Sequence, residues 1–245
     1  MQARLISWTA IAPDVREFLF EAVGVERLDY VPGQFVSLTS SLAKAEGGET
    51  KQITRAYSLA SAPEGHNQFA LCLNRVEGGW MSPFLFAMQP GETMEMSAPM
   101  GTFVLREAHA DAPRHSIFIA TGTGVAPFRA MLRAMLRATL RDDSSRFTLL
   151  LGARYESHLL YRAEFAAFAQ QHPQFRFMPT LSRPDADWRG RTGYVQAHLT
   201  EALDGIAADA VDFYLCGLGP MVNGVRAILK EMGFNRKQIR SEKYD

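Results

Sequence analysis

Along the first hundred residues, apolar and polar side chains alternate in short runs: ARLISWTAI, VREFLFEA, QFVSLTS, ITRAYSLA, FALCLN and ETMEMSA. A period of two marks strands with one buried face, and six such runs separated by turn residues predict a small antiparallel β-barrel or sandwich. VPGQ at 31–34 and QPGE at 89–92 set tight turns directly before strands. SSLAKAEGGETK at 40–51 is polar and contains glycine, so an exposed loop is expected there.

The pattern changes after REAHADAPRH at 106–115. SIFIATG at 116–122 is a continuous apolar strand ending in glycine, and PFRAMLRAMLRATL follows with helical spacing. Strand FTLLLG at 147–152, helix LLYRAEFAAFAQQ, strand FRFMPTLS at 175–182, a short helix near 195–203, strand VDFYLCG at 211–217 and helix PMVNGVRAILKEM complete the series. Strands alternating with helices predict a doubly wound, mostly parallel sheet. The chain therefore divides near residues 107–114, into an antiparallel β-barrel over 1–110 and an α/β domain over 111–245. With 245 residues, 47% of them hydrophobic, there is enough apolar surface for two modest cores.

Charge narrows the partners. Lys+Arg and Asp+Glu are both 26, which gives no sign of nucleic acid or an anionic membrane surface as a target. The start, MQARLISWTAIAPD, lacks a basic segment followed by a long apolar run, and no apolar stretch of about 18 residues occurs, so a soluble, cytoplasmic protein is expected; a monomer is expected as a separate matter. Cys72 and Cys216 are too few for a four-cysteine zinc or iron–sulfur site, and no metal is expected. Arg129, Arg133, Arg137 and Arg141 recur every four residues on the first α/β helix. They read as a solvated face opposite Met131, Leu132, Met135 and Leu136, or as a docking stripe for an acidic partner.

Candidate chemistry gathers at glycine-rich turns. In ATGTGVAPF at 120–128, Gly122 and Gly124 let the backbone turn tightly between a buried strand and a helix whose free N–H groups suit a pyrophosphate. Pro127 stands where the usual dinucleotide fingerprint has a glycine or alanine. The next strand runs into Ala153 and Arg154 instead of the acid that would hold a ribose 2′-hydroxyl. Ser182, Arg183 and Arg191 add positive charge and a hydroxyl near the same sheet edge, which favours the 2′-phosphate of NADP over NAD. In the barrel half, RAYS at 55–58 puts Arg55 and Tyr57 on one strand face and Ser58 on the other or at a kink, and LNRVEGGWMS at 73–82 is a second glycine-rich turn.

These motifs, in this order, resemble the ferredoxin–NADP reductase family, in particular its stand-alone bacterial ferredoxin/flavodoxin–NADP reductases. The resemblance spans PGQF at 32–35, RAYS, GGWMS at 78–82, GTF at 101–103, TGTGVAP at 121–127, SR at 182–183, GR at 190–191 and CGLGPMV at 216–222. The family's turn ends in proline, as Pro127 does here. The resemblance implies that Arg55 pairs with the FAD pyrophosphate, that Tyr57 lies against the isoalloxazine with Ala56 beside it, and that Ser58 hydrogen-bonds near flavin N5. Cys72, Leu73 and Asn74 would pass beside the flavin, while Gly79, Trp80, Met81 and Ser82 would bind the FAD phosphates or adenosine end. Thr121, Gly122, Thr123, Gly124 and Val125 would face the NADP pyrophosphate and the flavin. Arg154, Ser182, Arg183 and Arg191, next to Ala153, would hold the 2′-phosphate, and Cys216 with Gly217 would lie near the nicotinamide. The tail SEKYD would return to the flavin, with Tyr244 covering the ring, Glu242 at an acidic active-site position, and Asp245 where related enzymes often end in tryptophan.

The implied activity is electron transfer between NADPH and a small acidic one-electron carrier, ferredoxin or flavodoxin. FAD and NADP(H) carry the chemistry, with Tyr57, Ser58, Cys216 and Glu242 at the hydride site. An NAD(P)H:flavin reductase, the reductase component of an oxygenase system and a non-catalytic flavin-binding protein are the alternatives. Arg55 and GGWMS, both placed for the FAD diphosphate, weigh against the first.

Overall fold

The computed structural model describes residues 1–42, 51–106, 114–138 and 145–244. The chain divides into two compact units, one of Met1–Leu105 with Ala126–Ala134, the other of Arg106–Val125 with Met135–Asp245. Most of the expected boundary segment, and most of the expected loop at 40–51, lie outside the described residues.

The first unit is built from strands β1 (Gln2–Ala12), β2 (Val15–Val23), β3 (Phe35–Leu42), β4 (Lys51–Ser58), β5 (Gln68–Asn74) and β6 (Thr93–Met96), in the order β4-β3-β6-β1-β2-β5. Every pairing is antiparallel, and a bridge between Leu59 and Leu71 brings the two edge strands together as a barrel. On β2 the alternation works as its sequence predicts, with Phe18, Phe20 and Ala22 wholly buried. Phe20 stacks on Phe69 of the neighbouring strand at 5.8 Å, and the short helix α1 (Met81–Ala87) adds Met81 and Leu85 to the same core. The PGQ turn needs its glycine. Gly33 has φ +102°, and a Cβ there would sit 2.1 Å from the Phe103 carbonyl oxygen.

Helix α2 (Ala126–Ala138) corrects the arginine stripe. Its first residues, through Ala134, belong to the barrel unit. Arg129 is buried, with Nη1 donating to Glu17 Oε2 at 2.6 Å and to the Ala60 carbonyl at 3.1 Å. It therefore belongs neither to a solvated face nor to a docking stripe. Four-residue spacing drifts about 40° per step around a helix, so Arg129 turns inward while Arg137 reaches solvent. Arg133 is half-buried between them, and Arg141 lies outside the described residues.

The second unit is a parallel sheet of β7 (His115–Thr121), β8 (Arg146–Ala153), β9 (Phe175–Leu181), β10 (Arg191–Thr192), β11 (Val211–Leu218) and β12 (Ile239–Tyr244), in the order β10-β9-β8-β7-β11-β12. Helices α3 (Arg162–Gln171), α4 (Leu199–Ala202) and α5 (Gly219–Glu231) connect the strands, α4 being preceded by a 3₁₀ turn at Val195–His198. From Val211 to Gly217, β11 is buried on both faces, as a central parallel strand must be. Two strands are absent from the sequence pattern. β10 is only two residues long, and β12 reads IRSEKY, too polar to announce itself because it lies at the sheet edge. The tail is thus a strand paired in register with β11, Cys216 opposite Glu242 and Leu218 opposite Tyr244.

Candidate active site

Parallel strands bring their carboxyl ends to one edge, and most of the second unit's candidate residues lie there. Reading across the sheet, the edge presents Arg191, then Ser182 and Arg183, then Ala153 and Arg154, then Thr121 and Gly122, then Gly217, and finally Glu242 with Tyr244. This order places the arginines on one side of the glycine turn and the Cys216 group on the other.

The turn itself is a 3₁₀ segment, Gly122–Val125, between β7 and α2. Its two glycines differ. Gly122 has φ +54° and open space where a Cβ would stand, whereas a Cβ on Gly124 would lie 2.3 Å from the Cys216 carbonyl oxygen and 2.7 Å from Gly217 Cα. Gly124 therefore permits close approach of the turn to β11, and Gly122 leaves the outer side of the turn uncovered. Beside them, Thr121 Oγ1 is buried with no hydrogen-bond partner, and a Cβ on Gly217, which has φ +140°, would come within 2.6 Å of it. A buried hydroxyl left unpaired costs about 1–3 kcal/mol. An unpartnered hydroxyl beside the glycine turn, at the sheet edge where nucleotides bind in such folds, is compatible with a dinucleotide there.

The arginines do not act alike. Backbone bonds from Ser182 N to Ala153 O and from Arg183 N to Arg154 O, both 2.9 Å, tie the two strand ends together and leave Arg154 and Arg183 exposed. Thr123 is half-buried in the turn and Val125 is buried beneath it. Arg191 already has a carboxylate partner. Its Nε donates to Glu201 Oε2 at 2.7 Å and its Nη2 to Glu201 Oε1, so its guanidinium is already engaged.

At the other side of the turn, Cys216 is fully buried, and a hydrogen bond joins its thiol to Tyr244. Burial pushes the thiol pKa far above its ordinary value, and the Glu242 charge pushes it further, against the opposing bond to Tyr244. The thiol is neutral at physiological pH and serves as a small packing and hydrogen-bonding group. Cys216, Glu242 and Tyr244 are thus brought together; Asp245 lies outside the described residues.

In the barrel unit, β4 carries Arg55 and Ala56 exposed, Tyr57 half-buried and Ser58 buried. Tyr57 packs against the core, and burial pushes its pKa up to about 12 despite the neighbouring Arg55 charge, so the phenol stays neutral. The Leu59–Leu71 bridge runs β5 alongside, with Cys72 buried and Asn74 exposed. The side chains of Leu73 and Met81 lie in the hydrophobic core, so what they can offer a ligand is their backbone groups. The GGWMS turn closes on itself. Gly79 N donates to Val76 O at 3.1 Å, and the buried Ser82 accepts on Oγ from Val76 N at 2.8 Å, which frees its own proton for donation. Trp80 is exposed above this turn. Sequence reasoning missed Glu201, which no motif flags, because its relevance comes only from the strand pairing that sets Arg191 beside it.

Comparison with known proteins shows the family. Residues 2–105 match the family described as Oxidoreductase FAD-binding domain, and residues 118–227 match the Oxidoreductase NAD-binding domain. The chain is 42% identical to "Ferredoxin--NADP reductase B" of Sorangium cellulosum, over 100% of this chain and 97% of that protein. It is 30% identical to the "Anthranilate 1,2-dioxygenase electron transfer component" of Acinetobacter baylyi over 90% of this chain, spanning only 60% of that longer protein. Among solved structures, the cytochrome b5 reductase domain of Ulva prolifera nitrate reductase superposes with a TM-score of 0.82 at 26% identity, covering 98% of this chain and 96% of that one. A ferredoxin NADP+ reductase from Neisseria gonorrhoeae with bound FAD and NADP shares the fold, with a TM-score of 0.78 at 22% identity over 99% and 98% of the two chains.

Proposed function

The chain belongs to the ferredoxin–NADP reductase family, and from that premise we propose that it passes electrons between NADPH and a small acidic one-electron carrier, ferredoxin or flavodoxin, acting as a cytoplasmic monomer. It is an FAD- and NADP-binding oxidoreductase. Among the described residues no helix is long and apolar enough to cross a membrane.

The observation that carries the reading is the partnerless buried hydroxyl of Thr121, set between the open side of Gly122 and the missing side chain of Gly217. Bound FAD supplies the capacity to take two electrons from a nicotinamide and to release them one at a time. The chain's part is to bind, orient and exclude water. On the barrel, Arg55 pairs with the FAD diphosphate, the Ser82 hydroxyl donates to a phosphate oxygen, and the neutral ring of Tyr57 lies against the flavin. On the sheet edge, Thr121 and the turn receive the NADP pyrophosphate, and exposed Arg154 and Arg183 receive the 2′-phosphate. Neutral Cys216 would pack near the nicotinamide, with Tyr244 beside its thiol.

Anaerobic titration of the purified protein with NADPH and with NADH tests this. The expected result is a yellow protein whose released flavin is FAD and whose colour bleaches faster with NADPH. A colourless protein that only turns over added flavin would make it a flavin reductase and remove the roles of Arg55 and Ser82. The oxygenase-component reading is favoured by the similarity to the dioxygenase electron transfer component. It predicts faster reduction of an oxygenase ferredoxin than of flavodoxin.

A further inference from the structure

Arg191 stands in the GR pair near the sheet edge, yet its hydrogen-bonding fork faces a carboxylate ten residues along the chain. Arg191 Nε meets Glu201 Oε2 at 2.7 Å, and Nη2 meets Glu201 Oε1, a two-point contact on one of the two guanidinium edges that carry parallel N–H groups, the other being the Nη1–Nη2 end. Glu201 is held in turn by a second arginine. Arg176 Nη2 donates to Oε1 at 2.9 Å and Arg176 Nη1 to the Glu201 carbonyl at 3.1 Å. Register fixes the arrangement, since Arg191 pairs with Thr180 on β9, the strand that also carries Arg176. Arg191 holds Glu201 below its ordinary carboxylate range, so the acid is charged at neutral pH.

A phosphate monoester and a carboxylate compete for the same fork geometry. The pair is not sealed away: the side chains are 28% exposed for Arg191 and 42% for Glu201, so the bond is screened and exchangeable. Arg154 and Arg183, at the two neighbouring strand ends, are exposed and carry no such constraint.

We propose that Glu201 is a specificity-determining residue that occupies the Nε–Nη2 edge of Arg191 and offsets its charge, so that the 2′-phosphate of NADP(H) must displace a carboxylate before Arg191 can offer it that edge and its full charge. The inference rests on the reading of this edge as the 2′-phosphate site. Glu201 therefore tempers the preference for NADP(H) over NAD(H), and its removal sharpens that preference.

The test uses the FAD-loaded protein and measures the affinity of 2′,5′-ADP and of 5′-AMP by calorimetry, in the wild type, Glu201→Gln, Arg191→Ala and the double variant. Glu201→Gln is expected to tighten 2′,5′-ADP about two- to fivefold, to leave 5′-AMP unchanged, and to lose its effect when Arg191 is alanine. Glu201→Asp, too short to span the fork, is expected to give a smaller gain and guards against a misfolded Gln variant. Unchanged or weaker 2′,5′-ADP binding in both variants would overturn the competition. Equal binding of the two nucleotides by the wild type, with a gain in Glu201→Gln, would keep the role of Glu201 and remove the NADP preference; equal binding in all four proteins would remove both.

Discussion

The turns at 78–82 and 121–125 look alike in sequence, each a pair of glycines leading into a helix, but their glycines answer to different neighbours. In the barrel unit, a Cβ on Gly79 would meet Val76 at 3.2 Å, within the same loop, and the turn is held by its own bonds between Val76, Gly79 and Ser82. In the parallel-sheet unit, a Cβ on Gly124 would strike the backbone of β11 at 2.3 Å. The first turn is a local closure and the second is a docking joint. A glycine pair alone therefore does not say whether it serves the chain's own packing or an approaching ligand: in both turns the first glycine, Gly78 with φ +70° and Gly122 with φ +54°, has open space where a Cβ would stand, and only the second differs.

The contrast can be broken most directly by adding one methyl group to each turn. Gly124→Ala is expected to cost more than the about 1–3 kcal/mol usual for overpacking, because the obstruction is backbone and cannot rotate away. Gly79→Ala should stay within about 1 kcal/mol of wild type, since its contacts with Val76, at 3.2–3.3 Å, are relieved by a small shift within the same loop. Denaturant melts of both variants check this, and equal losses would erase the distinction.

Next in size is Arg129, which gives the barrel unit a buried polar tie of its own. Arg129→Ala removes the bonds to Glu17 and to the Ala60 carbonyl and is expected to cost near the lower end of about 3–5 kcal/mol, because Glu17 retains some solvent. Arg129→Met, which keeps the aliphatic bulk, separates lost packing from lost charge in the same melts.

The smallest effect belongs to the parallel-sheet unit and appears only in acid. His115 Nε2 lies 2.8 Å from Thr148 Oγ1, and burial, with the Arg146 and Arg176 charges, pushes its pKa down to about 4. Unfolded, the same ring titrates near 6.5. Between those values the unfolded chain binds more protons, so stability is full above about pH 6.5 and falls as pH drops toward 4. His115→Gln should narrow the difference in Tm between pH 7 and pH 5 by about 2–4 °C. No narrowing would place the acid sensitivity in other groups.

The sequence by itself determined the two-part architecture, since a period of two over six runs and a strand–helix alternation are written in local side-chain order. It also carried the glycine turn, RAYS, and the arginines at 154 and 183, whose positions follow from where strands end. Tertiary structure alone decided the rest. Arg129 and Arg137 share one helical repeat, and only packing put the first against Glu17 and left the second in solvent. Arg191 and Arg183 look equivalent along the chain, and only the pairing of β10 with β9 gave one of them a carboxylate. The polar run IRSEKY became a strand because β11 offered an unpaired edge, which also carried Tyr244 to the Cys216 thiol. Periodicity reports which face of an element is apolar, whereas the partner of each charge is set by residues distant in the chain that share no local signal with it.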